Sequence, residues 1–128
     1  MEGSSFSLWS IEKLGNIKNR GKPAKFNASA NLENTMCGDD VTVYLSIQDN
    51  RIKDASFEGE GCSATVAAAD ALMEFIKSKE VDEVVSFGSD FMESLLNVKI
   101  EPSRSRCVNL GLRAVKAAIA EYSKSATS

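Results

Sequence analysis

The chain has 128 residues, 43% of them apolar, with a net charge of -3 and a pI near 5.0. One globular domain of that size buries roughly two-thirds of the surface its unfolded form exposes, so it needs neither a metal nor disulfides merely to fold. The acidic balance argues against nucleic acid as the main partner, because phosphate binding asks for a basic face.

No run reaches the roughly 18 apolar residues that a membrane span requires, and the N-terminus lacks the apolar core of a signal peptide. The expectation is a cytoplasmic protein with no membrane partner. Three cysteines are an odd number, so a disulfide framework would leave one thiol over. In a reducing compartment all three are free, which points to metal binding, redox work or plain burial. A single domain over 1–128 is expected, with small polar ends, about 1–5 and 124–128, that fray.

In chain order, Leu8, Ile11, Leu14 and Ile17 recur at a spacing of three beside Trp9. This predicts a short amphipathic helix over Phe6–Lys18, weakened by Gly15. Asn16 to Gly21 reads as a turn, and Pro23 keeps the following residues extended or irregular. Residues 27–36 carry a weak strand signal. Val41, Val43, Leu45 and Ile47 alternate with Thr42, Tyr44, Ser46 and Gln48, the pattern of a half-buried strand. Asp49-Asn50 makes the turn of a hairpin, and Ile52, Ala55 and Phe57 form its second strand, with a slip of one residue that suggests a bulge.

Gly59-Glu60-Gly61 ends that strand. Val66, Ala69, Met73 and Ile76 then predict a helix over Ser63–Lys79, which leaves Cys62 at a strand-to-helix junction. Shorter helices fit Val81–Val85 and Asp90–Leu96, and Pro102 breaks the chain again. Val108, Leu112, Val115, Ile119 and Tyr122 trace the most regular helix, opened by Cys107. Strands first and helices afterwards indicate an α+β domain: a small three-stranded antiparallel sheet with helices packed on one face and a long C-terminal helix.

The chain contains no histidine, so a metal site must be built from Cys37, Cys62, Cys107 and a carboxylate, for which the Cys37-Gly38-Asp39 run offers Asp39. Each cysteine stands at an element boundary where its sulfur can reach the surface. At the starts of helices, free N–H groups and the helix dipole favour the thiolate, the form that binds metal and attacks sulfur. With 24 residues between Cys37 and Cys62 and 44 between Cys62 and Cys107, such a site is assembled by the fold, unlike a zinc finger. The plainer alternatives stand beside it: cysteines as small core hydrophobes, and Asp39 as a turn residue. Together the four would make a soft-metal or iron-sulfur site with one hard oxygen, which binds iron less tenaciously than a fourth thiolate.

These motifs resemble the U-type iron-sulfur cluster assembly scaffolds, the IscU, SufU and NifU N-terminal domain family. The resemblance runs from about Asn16 to Tyr122. Asn16-Ile17-Lys18-Asn19-Arg20-Gly21 is similar to the family's Asn-Pro-x-Asn-x-Gly, Cys37-Gly38-Asp39 to its first ligand motif, and Phe57 to Ser63 around Gly61-Cys62 to its second. Cys107 occupies the third cysteine position. The resemblance implies a scaffold that accepts sulfur from a cysteine desulfurase, binds iron, assembles a transient [2Fe-2S] cluster and hands it to acceptor proteins, as a monomer or a cluster-bridged dimer and without turning over a substrate. It implies Cys37, Asp39, Cys62 and Cys107 as ligands of cluster or metal, the three cysteines as persulfide acceptors, and zinc as an alternative occupant.

The chain also departs from the family. Arg106 stands where IscU-type members have histidine before the third cysteine, and Arg104 matches an arginine of SufU-type members. The SufU insertion before the third cysteine is missing, and Ile100 to Arg104 replaces the chaperone-binding motif of IscU. The alternative implied is therefore a SufU-like zinc-dependent sulfurtransferase. The N-terminal cations Lys13, Lys18, Arg20, Lys22 and Lys25, otherwise a solvated run, are candidates for desulfurase contact.

Overall fold

The computed structural model describes residues 15–34, 38–88, 90–97, 99–100, 102 and 105–127. Strands β1 (Ala28–Asn34), β2 (Asp39–Gln48) and β3 (Arg51–Glu60) form an antiparallel sheet in the order β1-β2-β3. Helices α1 (Ser63–Ile76), α2 (Val81–Val85), α3 (Phe91–Leu96) and α4 (Ser105–Thr127) follow. The α+β architecture expected from the sequence is present, including the third strand from the weakly patterned segment. Among the described residues no helix is long and apolar enough to cross a membrane.

Val41, Val43, Leu45 and Ile47 all face the core from β2. Asp49 and Asn50 both adopt the left-handed conformation, φ 55 and 60, which matches a two-residue hairpin turn to the twist of its strands. The slip in β3 is real. Ile47 pairs with Ile52 but Ser46 with Asp54, so Lys53 is the extra residue, and the bulge lets Ile52 and Ala55, three apart, share the buried face.

The helices cover one face of the sheet: α4 lies over β1 and β2, α1 over β3, and the two pack on each other. They approach closely at Gly111, where a Cβ would come within 3.4 Å of Ala69 Cα and Cβ. Phe75 of α1 and Phe91 of α3 sit 5.5 Å apart, and Phe91 stacks on Phe87 at 3.8 Å. This aromatic group docks α3 on α1.

The ends of two helices differ from the sequence expectation for identifiable reasons. Helix α1 stops at Ile76, not Lys79, because the Ser78 N–H donates to the Ile52 carbonyl at 2.7 Å and the Lys79 carbonyl accepts from the Ile52 N–H at 2.9 Å. Those groups extend β3's ladder instead of the helix. Helix α4 begins two residues before Cys107 and runs to Thr127, through the polar tail that composition alone marks as frayed.

The helix expected over Phe6–Lys18 lies outside the described residues up to residue 14, and its described end, Gly15–Lys18, is turn and irregular chain. The reason is a buried carboxylate on α1. Asp70, fully buried, accepts from the backbone N–H groups of Lys18 at 3.1 Å and Asn19 at 2.7 Å, and from the Asn19 side chain at 3.1 Å. Asn19 also donates to Glu74 at 3.2 Å and accepts from Lys77. From this clamp the chain runs beside β3, exchanging bonds between Phe57 and both Asn19 and Gly21, and the Arg20 guanidinium donates to the Gly59 carbonyl at 2.6 Å. Lys22 lies over the Phe26 ring. The Asn16–Gly21 segment is thus an edge cover for β3 in addition to a turn.

Replacing Asp70 by alanine leaves buried N–H donors without an acceptor and is expected to cost about 2–4 kcal/mol. Urea unfolding would measure the loss, with the Lys18 and Asn19 amides exchanging with solvent faster than the rest of the domain.

Candidate metal centre

The end of β3 and the start of β2 meet more closely than side chains ordinarily allow. A Cβ on Gly59 would lie 2.5 Å from the Asp40 carbonyl, and a Cβ on Gly61 would lie 2.2 Å from Asp39 Oδ1. Gly61 also has φ +153, which a side chain would strain. The two glycines let Asp39 reach across to the strand-to-helix junction, where its Oδ1 accepts from the Cys62 N–H at 3.1 Å.

Cys62 is the N-cap of α1, in extended conformation, and its carbonyl accepts the first helical bonds, from Thr65 at 3.1 Å and Val66 at 3.3 Å. Its Sγ lies 3.4 Å from Thr65 Oγ1. Cys107 enters from the first turn of α4. One ligand atom each from Asp39, Cys62 and Cys107 falls within 4.8 Å of the others. The structure therefore brings these three residues together, from β2, the β3-α1 junction and α4.

Cys37 and Arg104 lie outside the described residues. Arg106 is exposed on α4 and lines a groove with Asn109, Arg113 and Lys116.

The two described thiols have different environments. Cys62 is exposed, whereas Cys107 is only 5% exposed, a departure from the expectation that each sulfur reaches the surface. Desolvation works against the Cys62 thiolate, but the Thr65 hydroxyl, its backbone N–H and the Cys107 thiol outweigh that effect. They hold the Cys62 thiol below its ordinary value, despite the repulsion of Asp39. Cys107 is pushed far up by burial, by the Asp39 carboxylate that stabilises its protonated form, and by Cys62. For Cys107 these outweigh the helix-terminus effect that the sequence suggests.

Asp39 is 1% exposed, and its Oδ2 is buried with no hydrogen-bond partner among the described residues. A buried carboxylate oxygen without a partner is costly, and a cation is what relieves it. Two sulfurs and that oxygen are a donor set suited to zinc or iron, so the residues present fit a soft or borderline metal.

Sequence reasoning missed Thr65 and Asp70. Thr65 stands three positions after Cys62, one helical turn, which places both on one face. Asp70 is the single acid in the run from Ala64 to Met73, a pattern that marks a buried polar anchor.

In metal-free protein, iodoacetamide at pH 8 is expected to modify Cys62 at least about tenfold faster than Cys107, because the thiolate is the reacting form and only Cys62 is exposed. Mass spectrometry of the cysteine peptides checks this, and equal rates would contradict the environments described.

Comparison with known proteins agrees with this geometry. A family model of the NifU-like N terminal domain matches residues 10–128. The iron-sulfur cluster assembly scaffold protein IscU of Thermotoga maritima is 32% identical over 130 aligned positions, covering 89% of this chain and 92% of that protein. The zinc-dependent sulfurtransferase SufU of Bacillus subtilis is 29% identical over 107 positions, covering 70% and 73%. The crystal structure of a NifU-like protein (N-terminal) from Brucella abortus superposes with a TM-score of 0.75 at 21% identity, covering 90% and 92%. With a family match over nearly its whole length, on a fold that gathers Asp39, Cys62 and Cys107, the chain belongs to the NifU-like N-terminal domain family of U-type iron-sulfur cluster assembly scaffolds.

Proposed function

We propose that the chain is a scaffold on which a [2Fe-2S]-type cluster is built from iron and from sulfur supplied by a cysteine desulfurase, with a separate electron-transfer protein giving the two electrons that reduce each persulfide sulfur to sulfide, and is then passed to acceptor proteins. The observation that carries this reading is the meeting of Asp39, Cys62 and Cys107 within 4.8 Å at the end of the domain where β3 passes into α1. Cys37, two residues before Asp39, is the third thiol of the set. In this reading Cys37, Cys62, Cys107 and Asp39 hold the cluster, which is cargo and not a resident cofactor.

Sulfur arrives on the donor enzyme as a persulfide. A thiolate of this chain attacks the outer sulfur; the new S–S bond forms as the donor's S–S bond breaks, and the donor cysteine leaves as a thiolate. Of the two described cysteines, Cys62 is the one an incoming persulfide can reach, since Cys107 is buried. The carboxylate is the weakest ligand for iron in the set, so it is the position at which an acceptor's thiolate enters.

A second reading is a zinc-dependent sulfurtransferase, in which zinc holds the cysteines until one is displaced to accept persulfide. The absence of histidine from the chain and the SufU relative favour it.

Anaerobic reconstitution with ferrous iron and sulfide decides between them. The scaffold reading expects visible sulfur-to-iron charge-transfer absorption that disappears in Cys37→Ser, Cys62→Ser and Cys107→Ser. It also expects Asp39→Ala to slow transfer of the cluster to an apo-ferredoxin. Absorption that survives all three cysteine substitutions would sink it. Protein that retains one zinc per chain, accelerates desulfurase turnover and holds no iron would establish the sulfurtransferase instead.

A further inference from the structure

Two neutral hydrogen-bond donors border the centre without belonging to its ligand set. Thr65 is 1% exposed, and its Oγ1 lies 3.4 Å from Cys62 Sγ. A buried hydroxyl requires a partner; the Cys62 sulfur stands at hydrogen-bond distance from this one, and the Cys107 thiol also feels it. A metal-bound sulfur carries no proton, so in the loaded state the hydroxyl is the donor and the sulfur the acceptor.

Asn34, the last residue of β1, is 9% exposed and pairs in register with Asp39. Side chains of register partners stand on the same face of a sheet, with Cβ atoms about 4.5–5.5 Å apart. Among the described residues, Asn34 Nδ2 is buried with no partner, and so is Asp39 Oδ2. The same corner of the sheet thus holds an unsatisfied donor and an unsatisfied acceptor. A cation alone satisfies Asp39 and leaves Asn34 unpaired, and an anion alone does the reverse. A guest that brings metal and anionic sulfur together satisfies both.

We infer that Thr65 and Asn34 are positioning residues for anionic sulfur, Thr65 donating its hydroxyl proton to the Cys62 sulfur and Asn34 donating its amide N–H to sulfur carried beside Asp39. This rests on the scaffold reading above. The sulfur at Asn34 is either a ligand thiolate or inorganic sulfide, which share the same acceptor chemistry. Hydrogen bonds to sulfur withdraw charge from it, so each donor raises the energy of sulfur-to-metal charge transfer and the reduction potential of a bound cluster.

The test uses the full chain loaded with cobalt(II), whose only sulfur ligands are cysteines, and separately with a reconstituted cluster, which adds sulfide. Thr65→Val is expected to move the sulfur-to-cobalt charge-transfer band to lower energy and the cluster potential to a more negative value. Thr65→Ser should restore both, and Thr65→Ala tests the same hydroxyl should the valine variant fail to fold by circular dichroism. Asn34→Leu should lower the cluster potential. If it also shifts the cobalt band, the acceptor is a thiolate; if the cobalt band stays in place, it is sulfide. Spectra and potentials unchanged by loss of the Thr65 hydroxyl, or a serine variant shifted as far as the valine one, overturn the role of Thr65. A cluster potential unchanged in Asn34→Leu overturns that of Asn34. Wild-type protein that takes up neither cobalt nor cluster overturns the scaffold reading itself, and this inference with it.

Discussion

One hydrogen bond organises the functional end of this domain, that from the Cys62 N–H to Asp39 Oδ1. It joins the first residue of β2 to the cap of α1, and it forms because Gly61 offers no side chain to the carboxylate. Using one oxygen of Asp39 in this way fixes the direction of the other. Among the described residues, Oδ2 is held in a buried position with no hydrogen-bond partner. Structure and chemistry are therefore supplied by two oxygens of the same side chain. The turn-residue and ligand readings of Asp39 that the sequence leaves open are not exclusive in physical terms, since a carboxylate has enough lone pairs for both.

Much of the fold was legible because its signals are local. The alternation from Val41 to Gln48, the Asp49-Asn50 turn and the helical stripe of α4 each follow from side-chain period or backbone preference within a few residues. The slip at Lys53 was visible as a broken alternation. What could not be read were elements decided by distant partners. The predicted helix runs on to Lys18, but Asp70, more than fifty positions away, captures the N–H groups of Lys18 and Asn19. Helix α1 loses its last three expected residues to the ladder of Ile52. Intrinsic helix preference amounts to a few tenths of a kcal/mol per residue, which one buried charge-assisted bond outweighs.

The site was legible in a similar pattern. Asp39, Cys62 and Cys107 were singled out by residue type and by their place at element boundaries, beside Gly38, Gly61 and Arg106, and the fold brings them together. Their unequal environments were not readable, because both cysteines stand at helix starts and the sequence assigns them the same electrostatics. Burial under the packed sheet, with Asp39 alongside, separates Cys107 from Cys62. Thr65 and Asn34 were invisible for another reason: a threonine in a first helical turn and an asparagine at a strand end are ordinary residues until their neighbours are known.

The spread of the centre along the chain bears on when it can exist. Asp39 and Cys62 belong to the hairpin and the helix that follows it, but 44 residues separate Cys107 from Cys62, and Cys107 reaches the others only when α4 has folded across the sheet. A ribosome-bound chain that has not yet released α4 lacks Cys107 at the place where Asp39 and Cys62 meet. The three side chains thus meet only as the domain closes.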